Sequence, residues 1–221
     1  MPKLTGSTRL VVEAGRRRTF ASALDWPGWC RSGPDEKRAL EALAACAPRY
    51  RAVAAEAGLA LPARAGVAMT VVEHVAGSAT TDFGAPGSVA DDERADLTPA
   101  EAARRASLVQ AAWVVLDKVV AGAPAALRKG PRGGGRDRDA IVEHVLAAEV
   151  AYARKVGLRL RQPDVADAAD VAAFRAELDT VLRSARAGVP AGAKDWPPRY
   201  AARRIAWHAL DHAWEIEDRS G

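Results

Sequence analysis

The sequence contains little cysteine and no long apolar run. Its two cysteines, Cys30 and Cys46, match neither a CxxC pair nor a zinc-binding spacing. This pattern favours reduced structural thiols in a cytosolic protein. The N-terminus lacks the apolar core of a signal peptide, and no stretch of roughly eighteen apolar residues occurs. We therefore expect a cytoplasmic protein without a membrane segment.

The excess of positive charge is also small, at +4. Much of it lies in Arg16–Arg18 and in Arg128–Arg138, which are typical of a turn and a loop and not of a surface that follows a nucleic-acid backbone. We therefore expect no nucleic-acid partner. The chain has 221 residues, of which 49% are hydrophobic, so it can form one large domain or two small ones, each with its own core.

Short strands and a helix are predicted for the first part of the chain. Apolar runs at Leu10–Ala14 and Thr19–Leu24 are separated by a glycine and three arginines, which is the pattern of a β-hairpin. A Trp-Pro-Gly break follows, then a helix from about Asp35 to Ala57 and a Val-rich strand in Gly66–Val75. The segment Gly77–Asp96 has almost no large apolar residue and is predicted to be a linker or a long loop.

Helical patterns fill the chain from Leu97 onward. Thr98, Pro99 and Glu101 form a capping box that begins the first helix. Segments rich in glycine and proline separate it from three further amphipathic helices, at Arg136–Val156, Asp167–Arg186 and Arg199–Asp218. The predicted fold class is α+β: a small N-terminal α/β module of short strands plus one helix in residues 1–90, followed by an antiparallel four-helix bundle in residues 97–221.

The four histidines occupy informative positions. His208 and His212 are four residues apart on the last predicted helix, so both imidazoles lie on one face. The same face carries Ala201 and Ile205, which makes it the inward face of the helix. His144 lies at the centre of the apolar face of the second predicted helix. Three imidazoles therefore point into one predicted core.

Imidazoles in a core require partners, because a buried unpaired polar group costs on the order of 1–3 kcal/mol. Hydrogen bonds to neighbouring side chains are one solution. A divalent metal is another, since it satisfies several neutral imidazoles at once and bundle cores hold such sites. We predict a metal site at His144, His208 and His212, with zinc expected and nickel, iron or manganese as alternatives. Three protein ligands leave at least one position open, which is typical of a reactive site.

Three polar residues near the histidine pair are candidates for binding and catalysis. Arg204, one turn before His208, can hold an anionic substrate or cofactor group, or it can form a surface ion pair. Asp211 and Glu215 lie close to the ligand face, where either can orient an imidazole, act as a base on metal-bound water, or form a salt bridge. His74 alternates with valines in a predicted strand, and we place it outside the metal site.

Residues 97–221 resemble the DinB-like metal-binding bundle superfamily, on the segments DRDAIVEHVLAAEVAY and RRIAWHALDHAWEIEDR. That group includes mycothiol-dependent maleylpyruvate isomerases and bacillithiol transferases. Many members bind metal through one histidine of the second helix and a His-x-x-x-His pair of a later helix, which correspond here to His144, His208 and His212. The resemblance implies a metal-dependent enzyme that activates water or a low-molecular-weight thiol, with S-transferase-like or isomerase-like chemistry on a small-molecule substrate.

The segment Phe20–Leu43 resembles the HicB-like antitoxin module, in which a strand and a Leu-Pro-Gly-Cys-like turn precede a helix with a Glu-Ala pair. The Pro-Gly and Glu-Ala pairs match, whereas Trp29 intrudes before Cys30. The resemblance implies an alternative function, a non-catalytic regulatory protein that binds a partner through residues 1–90. The simpler interpretation is a small domain that packs on the bundle, where it walls the site or forms a homodimer.

Overall fold

The computed structural model describes residues 7–130, 134–187 and 195–221. Its first half contains one four-stranded sheet with the strand order β3-β2-β1-β4, formed by β1 (Thr8–Ala14), β2 (Thr19–Ala23), β3 (Cys30–Gly33) and β4 (Met69–Ala76). Strands β1 and β2 form the predicted antiparallel hairpin, β3 extends it antiparallel to β2, and β4 pairs with β1 in parallel. The predicted strands are confirmed, with bounds shifted by a few residues.

Strand β3 was not predicted, because the sequence places only a Trp-Pro-Gly break and polar residues there. The fully buried Trp29 explains it: the backbone carbonyl of Trp29 accepts from Ala23 N at 2.9 Å, and its indole N–H donates to the Leu43 carbonyl at 3.0 Å. The chain is thus held beside β2 after the break. Gly28 makes the break with φ of 91°.

The predicted single helix Asp35–Ala57 is wrong, because it consists of two helices, α1 (Glu36–Ala45) and α2 (Ala47–Glu56). Asp35 caps α1 by accepting from Arg38 N at 2.8 Å. The interruption at Cys46 has a local cause in Pro48, which has no N–H with which to continue the hydrogen bonds of α1. In the first turn of α2 the same proline is well tolerated.

The segment Gly77–Asp96, predicted to be a linker or a long loop, is largely irregular but is held to the sheet by polar contacts. It contains the short helix α3 (Ala79–Phe83) and a 3₁₀ helix at Asp91–Arg94. The buried carboxylate of Glu13 in β1 accepts from the backbone N–H groups of Gly87 at 2.9 Å and Ser88 at 3.1 Å. The buried Glu13 carboxylate therefore holds this segment against β1 by hydrogen bonds, whereas other segments are held in place by apolar side chains.

Four long helices follow, α4 (Pro99–Gly122), α5 (Arg138–Lys155), α6 (Ala168–Ser184) and α7 (Pro198–Ser220). The capping box is confirmed: Glu101 N donates to Thr98 Oγ1 at 3.2 Å, and Glu101 Oε2 accepts from Thr98 N at 2.9 Å. Helix α4 packs against α6 and α7, and α5 packs against α7. The predicted breaks between these helices include residues 131–133 and 188–194, which lie outside the described residues. In the described ranges, no helix has the length and apolarity needed to cross a membrane.

One apolar core joins the sheet to the long helices, with Leu10, Trp29 and Leu43 in the same cluster as Leu108 and Leu210. The Gly28 turn lies so close to α7 that an added Cβ would be 2.7 Å from Leu210 Cδ1. The structure therefore confirms a mixed α/β chain with the sheet first and the helices after it. The turn at Gly28, which joins β2 to β3, lies directly against α7, the helix that carries His208 and His212.

Candidate metal centre

The structure brings the three predicted histidines together. His144 extends from α5, and His208 and His212 extend from α7 one turn apart. The ring centroids are 5.1 Å apart for His144–His208, 5.0 Å for His144–His212 and 4.7 Å for His208–His212. One nitrogen from each ring lies within 4.8 Å of the others. Zinc–nitrogen bonds of about 2.0–2.1 Å set ligand nitrogens about 3.4 Å apart, so modest ring rotations would close the site.

The periodicity of α7 explains this placement. Ala201, Ile205 and His208 are all almost fully buried along the helix, with His208 exposed by 6%. His212, one turn further, has 13% of its side chain exposed. The cluster thus extends from the buried His208 to the partly exposed His212.

The hydrogen-bond partners of the imidazoles are incomplete. His212 Nδ1 lies 2.8 Å from Glu215 Oε2, so Nε2 of the same ring remains for another ligand. His208 Nδ1 is buried and has no hydrogen-bond partner within residues 7–130, 134–187 and 195–221. An orphaned nitrogen of this kind is unfavourable unless something binds it. The donor set of three imidazoles fits a zinc-like ion.

Burial and neighbouring charge keep two of the rings neutral. Burial, followed by the charges of His212 and Arg204, lowers the pKa of His208 to about 2. Burial is also the main cause that lowers the pKa of His144, with His212 next. Because metal ions bind the neutral form of imidazole, both rings are ready to act as ligands at pH 7.

Glu215 and Asp211 make different contacts. Glu215 Oε2 is bonded to His212, and its Oε1 accepts from Arg219 Nη1 at 2.6 Å. The hydrogen bond from His212 is the main cause that lowers the pKa of Glu215, so this carboxylate stays ionised and fixes the ring. Asp211 Oδ1 accepts instead from Arg31 Nη1 of β3 at 3.1 Å.

Arg204 does not form the surface ion pair that the sequence left open, because it is only 7% exposed. Its guanidinium carbon lies 4.5 Å from the ring centre of Trp207 and 5.3 Å from that of Tyr152. His74 lies apart from the cluster, as predicted. It is on the exposed face of β4, with Nε2 at 3.1 Å from Glu36 Oε2.

Sequence reasoning missed three residues that complete the surroundings. Arg219 follows Glu215 at the i,i+4 spacing of a helical ion pair, so a signal for it existed. Tyr152 comes eight residues after His144 and contacts the His208 ring, with centroids 5.7 Å apart. Arg31 had no local signal, because its contact with α7 joins residues distant in the sequence.

Comparisons with known proteins assign no family to the chain. A scan against protein-family models, a search of curated proteins and a search of solved structures found no match. The function is therefore inferred from the side chains of the site.

Proposed function

We propose that this protein is a DinB-like metal-dependent enzyme in which His144, His208 and His212 hold a divalent ion, zinc in the first place. The observation that carries the proposal is the buried His208 Nδ1, which has no hydrogen-bond partner among the described residues although the rings of His144 and His212 lie next to the His208 ring. An unpaired buried nitrogen costs about 1–3 kcal/mol. A shared ion offsets that cost for all three rings.

An ion with three protein ligands would leave a position open and lower the pKa of a water or thiol bound there. The chain would contribute neutral ligands and a fixed geometry. Glu215 is a positioning residue for His212, since both of its oxygens are engaged. In the described residues, Asp211 has a hydrogen bond only at Oδ1, from Arg31. We assign to Asp211 the role of accepting the proton that water or a thiol releases.

The proposal extends to the architecture. Helices α4 to α7 would form the antiparallel four-helix bundle of the DinB-like group, supported by the packing of α4 against α6 and α7 and of α5 against α7. The HicB-like residues 1–90 would wall the site. Arg31 supports this role, because it pairs with Asp211 and stacks 4.1 Å from the ring centre of Trp214 on α7. Transfer of a low-molecular-weight thiol is proposed by analogy with the group.

Two probe reactions test the proposal. Hydrolysis of 4-nitrophenyl acetate reports activated water, and conjugation of 2-mercaptoethanol to 1-chloro-2,4-dinitrobenzene reports an activated thiol. We expect zinc-loaded protein to accelerate at least one of them about tenfold or more over His208→Ala, because the loss of a ligand removes the ion that would activate the water or thiol. His74→Ala, which removes an exposed histidine outside the site, is the matched control and should retain the rate.

Chelation of the wild type should remove the acceleration, and added zinc should restore it. If zinc-loaded wild type and His208→Ala give equal rates in both reactions, the catalytic proposal is wrong. That outcome would favour the alternative of a non-catalytic protein that binds a partner through residues 1–90.

A further inference from the structure

Among the buried arginines of the described residues, Arg204 differs from the others in having no acidic partner there. Arg105, Arg175, Arg199 and Arg203 each lie within 4 Å of a carboxylate, at distances of 3.9, 3.2, 3.2 and 2.6 Å. Arg204 is equally buried, yet it forms no ion pair in the part of the chain that the structure describes, and its Nη1 has no hydrogen-bond partner. A buried cation without a counter-charge is strongly unfavourable. Something outside the described residues should therefore neutralise it.

The unpaired guanidinium lies beside the candidate metal centre. Arg204 precedes His208 by one helical turn, so the two side chains are neighbours on α7. Both also contact the same two aromatic rings. Tyr152 and Trp207 lie 5.3 and 4.5 Å from the Arg204 guanidinium carbon, and 5.7 and 5.9 Å from the His208 ring centre. The indole N–H of Trp207 is a second buried donor for which the described part of the chain provides no acceptor.

The charges around the histidines also favour an anionic ligand. The two nearby carboxylates are already paired, Glu215 with Arg219 and Asp211 with Arg31. Arg136, which lies two residues before α5, adds an exposed positive charge near the start of the helix that carries His144. Three neutral imidazoles would leave the charge of a bound ion uncompensated. The surroundings of the three histidines therefore have an excess of positive charge and of hydrogen-bond donors.

We infer that Arg204 and Trp207 form an anion subsite that holds the carboxylate of a small organic acid while another group of that molecule reaches the metal. The inference rests on the proposed metal centre and adds the class of its substrate. A planar guanidinium matches the two oxygens of a carboxylate. One cation between two aromatic rings balances a monoanion, whereas a phosphate would call for more donors.

Cobalt-loaded protein provides the test, because a thiolate that binds Co²⁺ gives a near-ultraviolet absorption band that can be titrated. The probes are 3-mercaptopropionate and its methyl ester, which differ in the carboxylate charge. We expect wild type to bind the acid about tenfold more tightly than the ester, as a charge-assisted contact allows. In Arg204→Gln the ratio should fall below about twofold, while cobalt content and ester affinity stay within about twofold of wild type.

Arg136→Gln is the matched control, because it removes the same charge from an exposed position just before α5, the helix that carries His144. It should keep most of the preference for the acid. Arg204→Lys, which retains a cation, should keep a preference of about threefold or more and covers the case in which the glutamine variant does not fold.

The outcomes separate the two proposals. Equal binding of acid and ester by cobalt-loaded wild type overturns the anion subsite, and this comparison needs no variant. An undiminished preference in folded Arg204→Gln overturns the role of Arg204. Failure of wild type to bind cobalt would instead overturn the metal centre.

Discussion

Glu215→Ala is expected to weaken metal binding without unfolding the protein. In the structure Glu215 Oε2 holds His212 Nδ1 at 2.8 Å, and this contact directs Nε2 of that ring away from the carboxylate. Without it the imidazole can rotate and change tautomer, so part of the binding free energy is spent on ordering the ring. The variant removes no ligand, which distinguishes it from a histidine replacement.

The size of the effect follows from the contact and its exposure. Removing a hydrogen-bonded partner of a metal ligand usually lowers metal affinity about 10- to 100-fold. The Glu215 side chain is 34% exposed, so water screens part of its charge. We therefore expect the lower part of that range, about 10- to 30-fold, or about 1.4–2.0 kcal/mol. Glu215→Gln keeps an acceptor oxygen and should lose only about threefold.

The assay is a zinc titration in competition with a chromophoric chelator at pH 7. Glu217→Ala is the matched control, since Glu217 is an exposed acid of the same helix that pairs with Arg49 at 3.3 Å. Its zinc affinity should equal that of wild type. If Glu215→Ala and Glu217→Ala bind zinc equally well, Glu215 does not position His212 for a metal.

Three further predictions concern the other polar groups. Alanine at any one metal-site histidine should remove most of the zinc affinity, and double variants should lose little more, because the three histidines act as one unit. His74→Ala should leave the zinc affinity unchanged, and additive losses in a zinc titration would argue against one shared site. Below pH 6.5, His208 of the metal-free protein binds a proton in the unfolded chain but not in the folded chain, where its pKa is about 2. The free energy of unfolding therefore decreases as the pH is lowered. At pH 5 the free energy of unfolding in urea should have decreased by about 2 kcal/mol more in wild type than in His208→Gln. Equal decreases would refute this. Glu93→Gln breaks the buried 2.6 Å pair with Arg203 and should cost about 3–5 kcal/mol, partly recovered by adding Arg203→Met, whereas no recovery would contradict the buried-charge explanation.

The site was more predictable than its surroundings because its signal is local. His208 and His212 are one helical turn apart, and His144 lies on an apolar face, so helical periodicity alone directs all three inward. The capping box at Thr98 was predictable for the same reason, since its partner is three residues away. Such patterns need only the residues within one or two turns.

The errors arose where distant residues decide the local structure. Strand β3 depends on the burial of Trp29 against α1, and the ordered segment after β4 depends on the Glu13 carboxylate in β1. Neither contact leaves a periodic trace in the sequence. The break between α1 and α2 does have a local signal, since Pro48 lies at the start of α2. It was missed because the apolar pattern continues on both sides of it.

The metal content of the purified chain tests the central claim most directly. Protein prepared without chelator and analysed for transition elements should contain about one equivalent of a divalent metal per chain, because a folded three-imidazole site retains its ion. His208→Ala prepared in the same way should contain little. Less than about a tenth of an equivalent in wild type, with no uptake of added zinc, would contradict the metal centre.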